Sequence, residues 1–160
     1  MDHVDKILAQ WKEVRPDLDT GPMGLVGRIS RLRNHLGRSM ESLFQAHGLS
    51  SAGFDVLAAL RRSGEPYRLS PGELIATTMV TSGTMTARLD QLEKAGLIER
   101  LDNDEDRRGV IIALTAKGLD LVDRVVTAHV ENQHRLVATL SEAERRQLDA
   151  LLAKFLAAFE

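Results

Sequence analysis

The chain of 160 residues contains no cysteine, which excludes disulfide cross-links, thiol nucleophiles and thiolate metal sites. No apolar run reaches the length needed to span a bilayer. The N-terminal stretch, with Asp2, Asp5 and Trp11-Lys12-Glu13, lacks the basic-then-apolar layout of a secretion signal. A cytoplasmic protein is the expectation. Neither sign of charge dominates: 21 Lys and Arg against 23 Asp and Glu leave a net −2, so the molecule as a whole is no polycation drawn to any nucleic acid. There is no phosphate-cradling glycine loop and no clustered set of metal ligands. His129 and His134 stand five positions apart, not the four that place two ligands on one helix face, and read as solvated or interfacial. An enzyme is therefore disfavoured, and neither cofactor nor metal is expected. Repeats and low-complexity segments are missing as well. What is left, 43% hydrophobic and 28% charged, is ordinary for a soluble protein. Its length suits one full core, or a small domain plus an interface.

The segment from Ser70 to Gly118 carries the most information. Ser70-Pro71-Gly72-Glu73 is a helix start: Ser70 caps, Glu73 reaches back and Pro71 takes the first helical position. The helix is expected to run to about Met79. A second begins near Ser82 and stops at Lys94-Ala95-Gly96, where Gly96 can turn left-handed. Two β-rich runs follow, Leu97 to Leu101 and Val110 to Leu114, joined by a polar tip from Asp102 to Gly109. Helix, turn, helix and charged hairpin make a winged helix-turn-helix, which sets one helix in the major groove of double-stranded DNA and an arm on the backbone. The local charge runs against this reading. Between Thr81 and Val110 acids outnumber bases, whereas phosphate contacts call for a basic surface. The conflict is relieved if Arg107 and Arg108 project while some acids pair with arginines.

The flanks read as a helical frame. Asp2 to Val14 has Val4, Ile7, Leu8 and Trp11 at helical spacing, and Pro16 with the Gly21-Pro22 pair breaks it off. Gly24 to about His47 repeats Leu25, Ile29, Leu32, Leu36, Met40 and Leu43 as an amphipathic stripe. Gly48 ends that helix, and Ser50 starts another through Phe54, Leu57 and Leu60 to Ser63-Gly64. After the hairpin, Thr115 caps a long apolar helix and Ser141-Glu142-Ala143-Glu144 opens a last one. These helices are more apolar than a small core can absorb, so a second copy of the chain is expected to cover them. The fold expected is mainly α with a small β-hairpin wing: a winged helix-turn-helix over 48–114, flanked by dimerisation helices over 1–47 and 115–160, within one domain. Intramolecular packing of those helices is the alternative.

On a wheel of ~100° per residue, Met85, Leu89 and Leu92 of the second reader helix point inward. Thr86 and Lys94 lie broadly opposite, with Thr84 and Gln91 on a flank. The hydroxyls of Ser82, Thr84 and Thr86 suit phosphates and base edges, although they also suit a helix start. Arg107 and Arg108 at a hairpin tip beside a reader suit DNA, against the plainer alternative of a solvated turn. Candidate DNA contacts are thus Ser82, Thr84, Thr86, Gln91, Lys94, Arg107 and Arg108. Arg88 falls beside the inward stripe, where it reaches back toward the protein better than it reads a base.

The order of these elements, Asp106-Arg107-Arg108, and Val110 to Leu114 running into Thr115-Ala116-Lys117-Gly118 resemble the MarR family of bacterial regulators along essentially the whole chain. The resemblance implies an obligate homodimer of triangular shape, with Asp106 bracing the wing and Arg107 or Arg108 entering the minor groove. This chain has Asn103-Asp104 where many members begin the wing tip with an aspartate and a proline. Trp11, the run Arg15 to Met23, and Phe54-Asp55-Val56-Leu57 through Arg62 are similar to the urate-responsive PecS and HucR branch. That branch implies effector contacts at Trp11, Asp55 and Arg88, with Arg100 as a second arginine. It also implies a pocket asparagine; none lies between Asp55 and Arg88, and Ser63 is the nearest candidate. The chemistry is coherent. A guanidinium pairs with a planar anion, Trp11 offers a stacking face, and Asp55 can accept ring N–H groups. Each residue also has a plainer reading: Trp11 as a core aromatic, Asp55 in an ion pair with Arg88 or Arg100, Arg100 on a phosphate or in solvent. The function expected is a ligand-responsive DNA-binding repressor released by a small anion such as urate. A different ligand, such as a phenolic or polycarboxylate, and a winged-helix module that binds protein are the alternatives.

Overall fold

The structure is a computed structural model and describes residues 1–78, 82–103 and 109–160, with 82 and 83 described by their backbone alone. Seven helices and three strands follow in the order α1 (His3–Val14), α2 (Gly21–Ala46), α3 (Ser51–Arg62), β1 (Arg68–Leu69), α4 (Pro71–Thr77), α5 (Ser82–Lys94), β2 (Ile98–Asp102), β3 (Val110–Leu114), α6 (Ala116–Leu136) and α7 (Glu142–Leu156). The fold is mainly helical with a small antiparallel sheet, as expected. Two compact units divide the chain, Met1–Met40 and Glu41–Glu160.

In the first unit, Asp2 caps α1 by accepting from the Val4 and Asp5 amides, and the Asp5 carboxylate returns a bond to the Asp2 amide. Arg28 of α2 donates to Asp2 at 2.8 Å and to Asp5, so the first turn of α1 is tied to α2. Gly24 and Gly27 let the helices approach: a Cβ on Gly24 would stand 3.0 Å from Leu8, and one on Gly27 3.5 Å from Val4. Gly21-Pro22 does not separate the helices as expected; α2 begins at Gly21. Proline lacks an amide hydrogen that the first turn would leave unpaired anyway, so Pro22 fits there, and the Asp19 carboxylate accepts from the Gly21 amide at 3.0 Å.

The second unit has its core where α3, α5, the sheet and α6 meet. Val56, Leu57 and Leu60 of α3, Leu74 of α4, Ile112 of β3, and Val122 and Val125 of α6 are almost completely buried. The hairpin is part of a three-stranded sheet, ordered β1-β3-β2, with Arg68 opposite Ala113 and Arg100 opposite Ile112. The edge strand β1 goes unread in the sequence because two residues carry no period. The helix α4 stops at Thr77, short of Met79: Thr78 turns extended, and the Thr77 and Thr78 hydroxyls bond back to the Glu73 and Leu74 carbonyls.

His129 departs from the solvated or interfacial reading. Its ring lies half-buried at 5.2 Å from the Phe44 ring and 5.3 Å from that of Phe54, and those two phenyl rings stack at 4.3 Å. His134 is exposed. At the chain's end no residue of α7 is buried, and Leu151, Leu152, Phe155 and Leu156 stand open to solvent. Among the described residues no helix is long and apolar enough to cross a membrane.

Two predictions follow from this packing. A Cβ on Gly118 would lie 1.9 Å from the Leu97 carbonyl oxygen, a backbone atom with no room to retreat. Gly118→Ala should therefore cost about 3 kcal/mol or more, read from urea denaturation. Burial holds the His129 imidazole below its ordinary value of 6.5. Its neutral form thus stabilises the fold fully above that value, and the contribution is lost as pH falls through the lowered one. Thermal melts of the wild type should drop as pH falls below about 6.5, and His129→Phe should flatten that drop.

Candidate nucleic-acid interface and effector residues

Two short helices form the reader. Ser70 and Glu73 cap α4 reciprocally: the Ser70 hydroxyl accepts from the Glu73 amide, and the Glu73 carboxylate from the Ser70 amide at 2.7 Å. In α5, Met85, Leu89 and Leu92 are buried, while Thr84, Thr86, Ala87, Gln91 and Lys94 are exposed. The wheel's division of this helix into two faces is the one observed. The side chain of Ser82 and the whole of Arg107 and Arg108 lie outside the described residues, and Asp106 with them.

The C-terminal end of α5 is closed by the start of α6. Gly96 turns left-handed at φ 71°, so the Leu97 amide reaches the Leu92 carbonyl and the Gly96 amide that of Glu93, a Schellman pair. The next free carbonyls find partners across the sheet. Lys117 Nζ donates to Ala95 O at 2.7 Å, Thr115 Oγ1 to Gly96 O at 2.8 Å, and the Thr115 amide to Leu97 O at 3.2 Å. Lys117 escapes a sequence reading because nothing local marks a lysine whose acceptor is a carbonyl 22 residues earlier.

The arginines of this unit stand in opposite electrostatic states. Arg100 on β2 donates to Asp90 at 2.6 Å and to Glu93, both on α5. The two carboxylates raise its pKa, Asp90 first. This pairing answers part of the acidic excess of the reader, since Asp90 and Glu93 are matched within the protein. It also leaves Arg100 engaged, a clamp between α5 and β2 in place of an open cation. Arg88 is half-buried beside the inward stripe, and its Nη1 donates at 2.9 Å to the hydroxyl of Ser50, the N-cap of α3. Arg88 Nε is buried with no hydrogen-bond partner among the described residues.

The other effector candidates are placed as follows. Asp55 is half-buried on α3, about one and a half helical turns beyond Ser50. Ser63 caps the far end of α3, roughly 20 Å from Ser50 at about 1.5 Å per residue, and its hydroxyl already donates to Leu60 O at 2.7 Å. Ser63 is therefore not gathered with the Ser50–Arg88 pair. Trp11 lies on α1 in the first unit, 38% exposed. An open cleft of about 900 Å³ beside the sheet is lined by Arg68, Glu73, Leu101, Asp102 and Ile111 among others, and by none of the five candidates. Ser50, Glu41 and Lys117 join the site from outside the sequence prediction. Ser50 is legible there as a helix cap, but not as a partner of Arg88.

A buried-faced second helix after a short capped one, followed by an antiparallel sheet, defines a winged helix-turn-helix protein. A family model described as the MarR family matches residues 47–109. Over 151 residues the chain is 42% identical to the HTH-type transcriptional regulator PecS of Dickeya dadantii (strain 3937), covering 94% of this chain and 91% of that protein. The fold is similar to that of a mutant MarR from E. coli complexed with operator DNA: TM-score 0.71, 26% identity, 91% of this chain and 97% of that one. It is similar also to Bordetella bronchiseptica BpsR, whose DNA binding is regulated by 6-hydroxynicotinic acid: TM-score 0.71, 25% identity, 81% of this chain and 90% of that one. The chain belongs to the MarR family of transcriptional regulators.

The Arg100 clamp makes a quantitative prediction. Its side chain is 30% exposed and its partners 60% and 40%, so solvent and salt screen the pairing. Arg100→Met should lower stability by about 1 kcal/mol or less, and the difference should shrink when the same urea titration is run at high salt.

Proposed function

We propose that this protein is a cytoplasmic, homodimeric DNA-binding repressor that a small planar anion, urate first among candidates, releases from its operator. The observation that carries the effector half is the state of Arg88. A guanidinium held by a neutral hydroxyl, with one buried N–H unpaired among the described residues, gains more from an anion than a saturated one does. Asp55 on the neighbouring helix is the proposed acceptor for ring N–H groups. The exposed Thr84, Thr86, Gln91 and Lys94 of α5 are the proposed contacts to base edges and phosphates, and the wing arginines Arg107 and Arg108 the proposed minor-groove arm. The resemblance to PecS supports urate, and BpsR, regulated by a heteroaromatic acid, supports the wider class of planar anions. The open apolar face of α7 supports a second copy as its cover, since water-exposed leucine and phenylalanine in one helix are costly to leave bare.

Effector and DNA occupy different regions of α5, so a ligand that prefers the arrangement unsuited to DNA must weaken DNA binding reciprocally. Fluorescence anisotropy of the gene's upstream intergenic duplex, titrated with protein, tests both halves. Binding should be tight, should weaken steeply with salt, and should be released by urate. Arg88→Gln should lose the urate response over whatever DNA affinity it keeps. Trp11, the chain's single tryptophan, is the third proposed effector contact, and its emission should change in the same titration. DNA binding that urate leaves untouched would move the effector to another anion, such as a phenolic acid or polycarboxylate. Salt-independent association, or none above random duplex, would point to a module that binds protein.

A further inference from the structure

Ser50 is bonded to two helices at once. Its Oγ accepts from the Gly53 amide at 3.1 Å, which caps α3, and from Arg88 Nη1 at 2.9 Å, which reaches it from α5. A hydroxyl has two lone pairs, and these two donors use both. The Glu41 carboxylate, which feels the charge of Arg88, is directed elsewhere. Glu41 takes the Ser51 amide at 3.2 Å and the Ser51 hydroxyl on one oxygen, and Gln45 at 3.1 Å on the other. Those Ser51 bonds, with a smaller contribution from the charge of Arg88, hold the Glu41 carboxyl below its ordinary range. The start of α3 is thereby tied on one side to Glu41 of α2 and on the other to Arg88 of the reader helix.

We infer that Ser50 is the positioning residue that holds Arg88, and with it α5, in the DNA-competent setting, and that the effector acts by replacing this one neutral hydroxyl. The inference rests on the reading that the anion binds at Arg88. A carboxylate offers a guanidinium a full opposite charge and two acceptor oxygens for a bidentate pair, where a hydroxyl offers one bond and no charge, so an anion that reaches Arg88 displaces a serine where it would not displace a carboxylate. The contrast with Arg100 makes the point: held by Asp90 and Glu93, that arginine has nothing to gain from a further anion. A neutral partner makes the link strong enough to order α5 and weak enough to yield. Ser50 therefore sets the effector concentration at which the protein lets go.

Two substitutions separate this role from capping, because Asp and Gly both serve at an N-cap, Gly at a loss of only a few tenths of a kcal/mol. Ser50→Asp gives Arg88 a carboxylate; Ser50→Gly gives it nothing. In the anisotropy assay with urate as the probe, Ser50→Asp should raise the concentration for half-release by about tenfold or more. Ser50→Gly should lower it several-fold and weaken DNA binding without urate, while Ser50→Thr should restore the wild-type midpoint. Equal midpoints in wild type, Ser50→Asp and Ser50→Gly would overturn the inference. A second measurement is independent of the effector. In a double-mutant cycle on DNA affinity, the loss caused by Ser50→Gly should vanish in an Arg88→Gln background. A loss that persists undiminished there overturns the link. If urate releases no form of the protein, the effector reading fails, and the cycle still decides the role of Ser50.

Discussion

The reader depends on how the first turn of α6 closes the end of α5. The amides of Ala95, Gly96 and Leu97 satisfy the last carbonyls of α5, and the three carbonyls of the turn that follows, from those same residues, are taken by Lys117 and Thr115. That closure requires α6 to lie against the backbone at Leu97, which is why Gly118 has no side chain to spare: a Cβ would overlap the carbonyl oxygen. Because β2 starts at Ile98, one junction orients the reader helix, the first strand of the wing and the long helix that follows. The start of α6 is thus joined to the end of α5 by one backbone bond and by two side-chain bonds, from Thr115 and Lys117.

Within that frame two arginines of one unit do different physical work because their partners differ. Arg100 meets two carboxylates and becomes part of the scaffold. Arg88 meets one hydroxyl and, among the described residues, keeps a buried N–H unpaired. An unsatisfied buried donor is costly to a fold, and such sites persist where function uses the deficit. The acidic bias of the reader, which counts against DNA binding when residues are only tallied, loses part of its force once Asp90 and Glu93 are seen to be matched by Arg100. Likewise the aromatic cluster of Phe44, Phe54 and His129 draws the ends of α2, α3 and α6 together, a role for His129 that spacing along one helix could not suggest.

Most of the secondary structure was legible because its causes are local. Ser50, Ser70, Thr115 and Ser141 cap the helices that follow them, and Gly48, Gly64 and Gly96 take positive φ where helices stop. The three inward residues of α5 followed from period alone. The failures are also local in kind. β1 is too short to show alternation, Pro22 lies in the first turn of α2 where the glycine-proline pair reads as the break ahead of it, and Thr78 ends α4 just before the expected stop near Met79.

The sequence by itself determined where helices begin, which face of α5 turns inward, and that Arg88 sits at the edge of that face, since those follow from caps and a period of 3.6 residues. Only the tertiary structure decided which arginine is neutralised, which is left wanting, and that Ser50 is its partner. A hydrogen bond depends on angstroms, and the pairs that matter join positions 38, 10 and 7 residues apart along the chain, on elements whose mutual register is set only when the core between them closes.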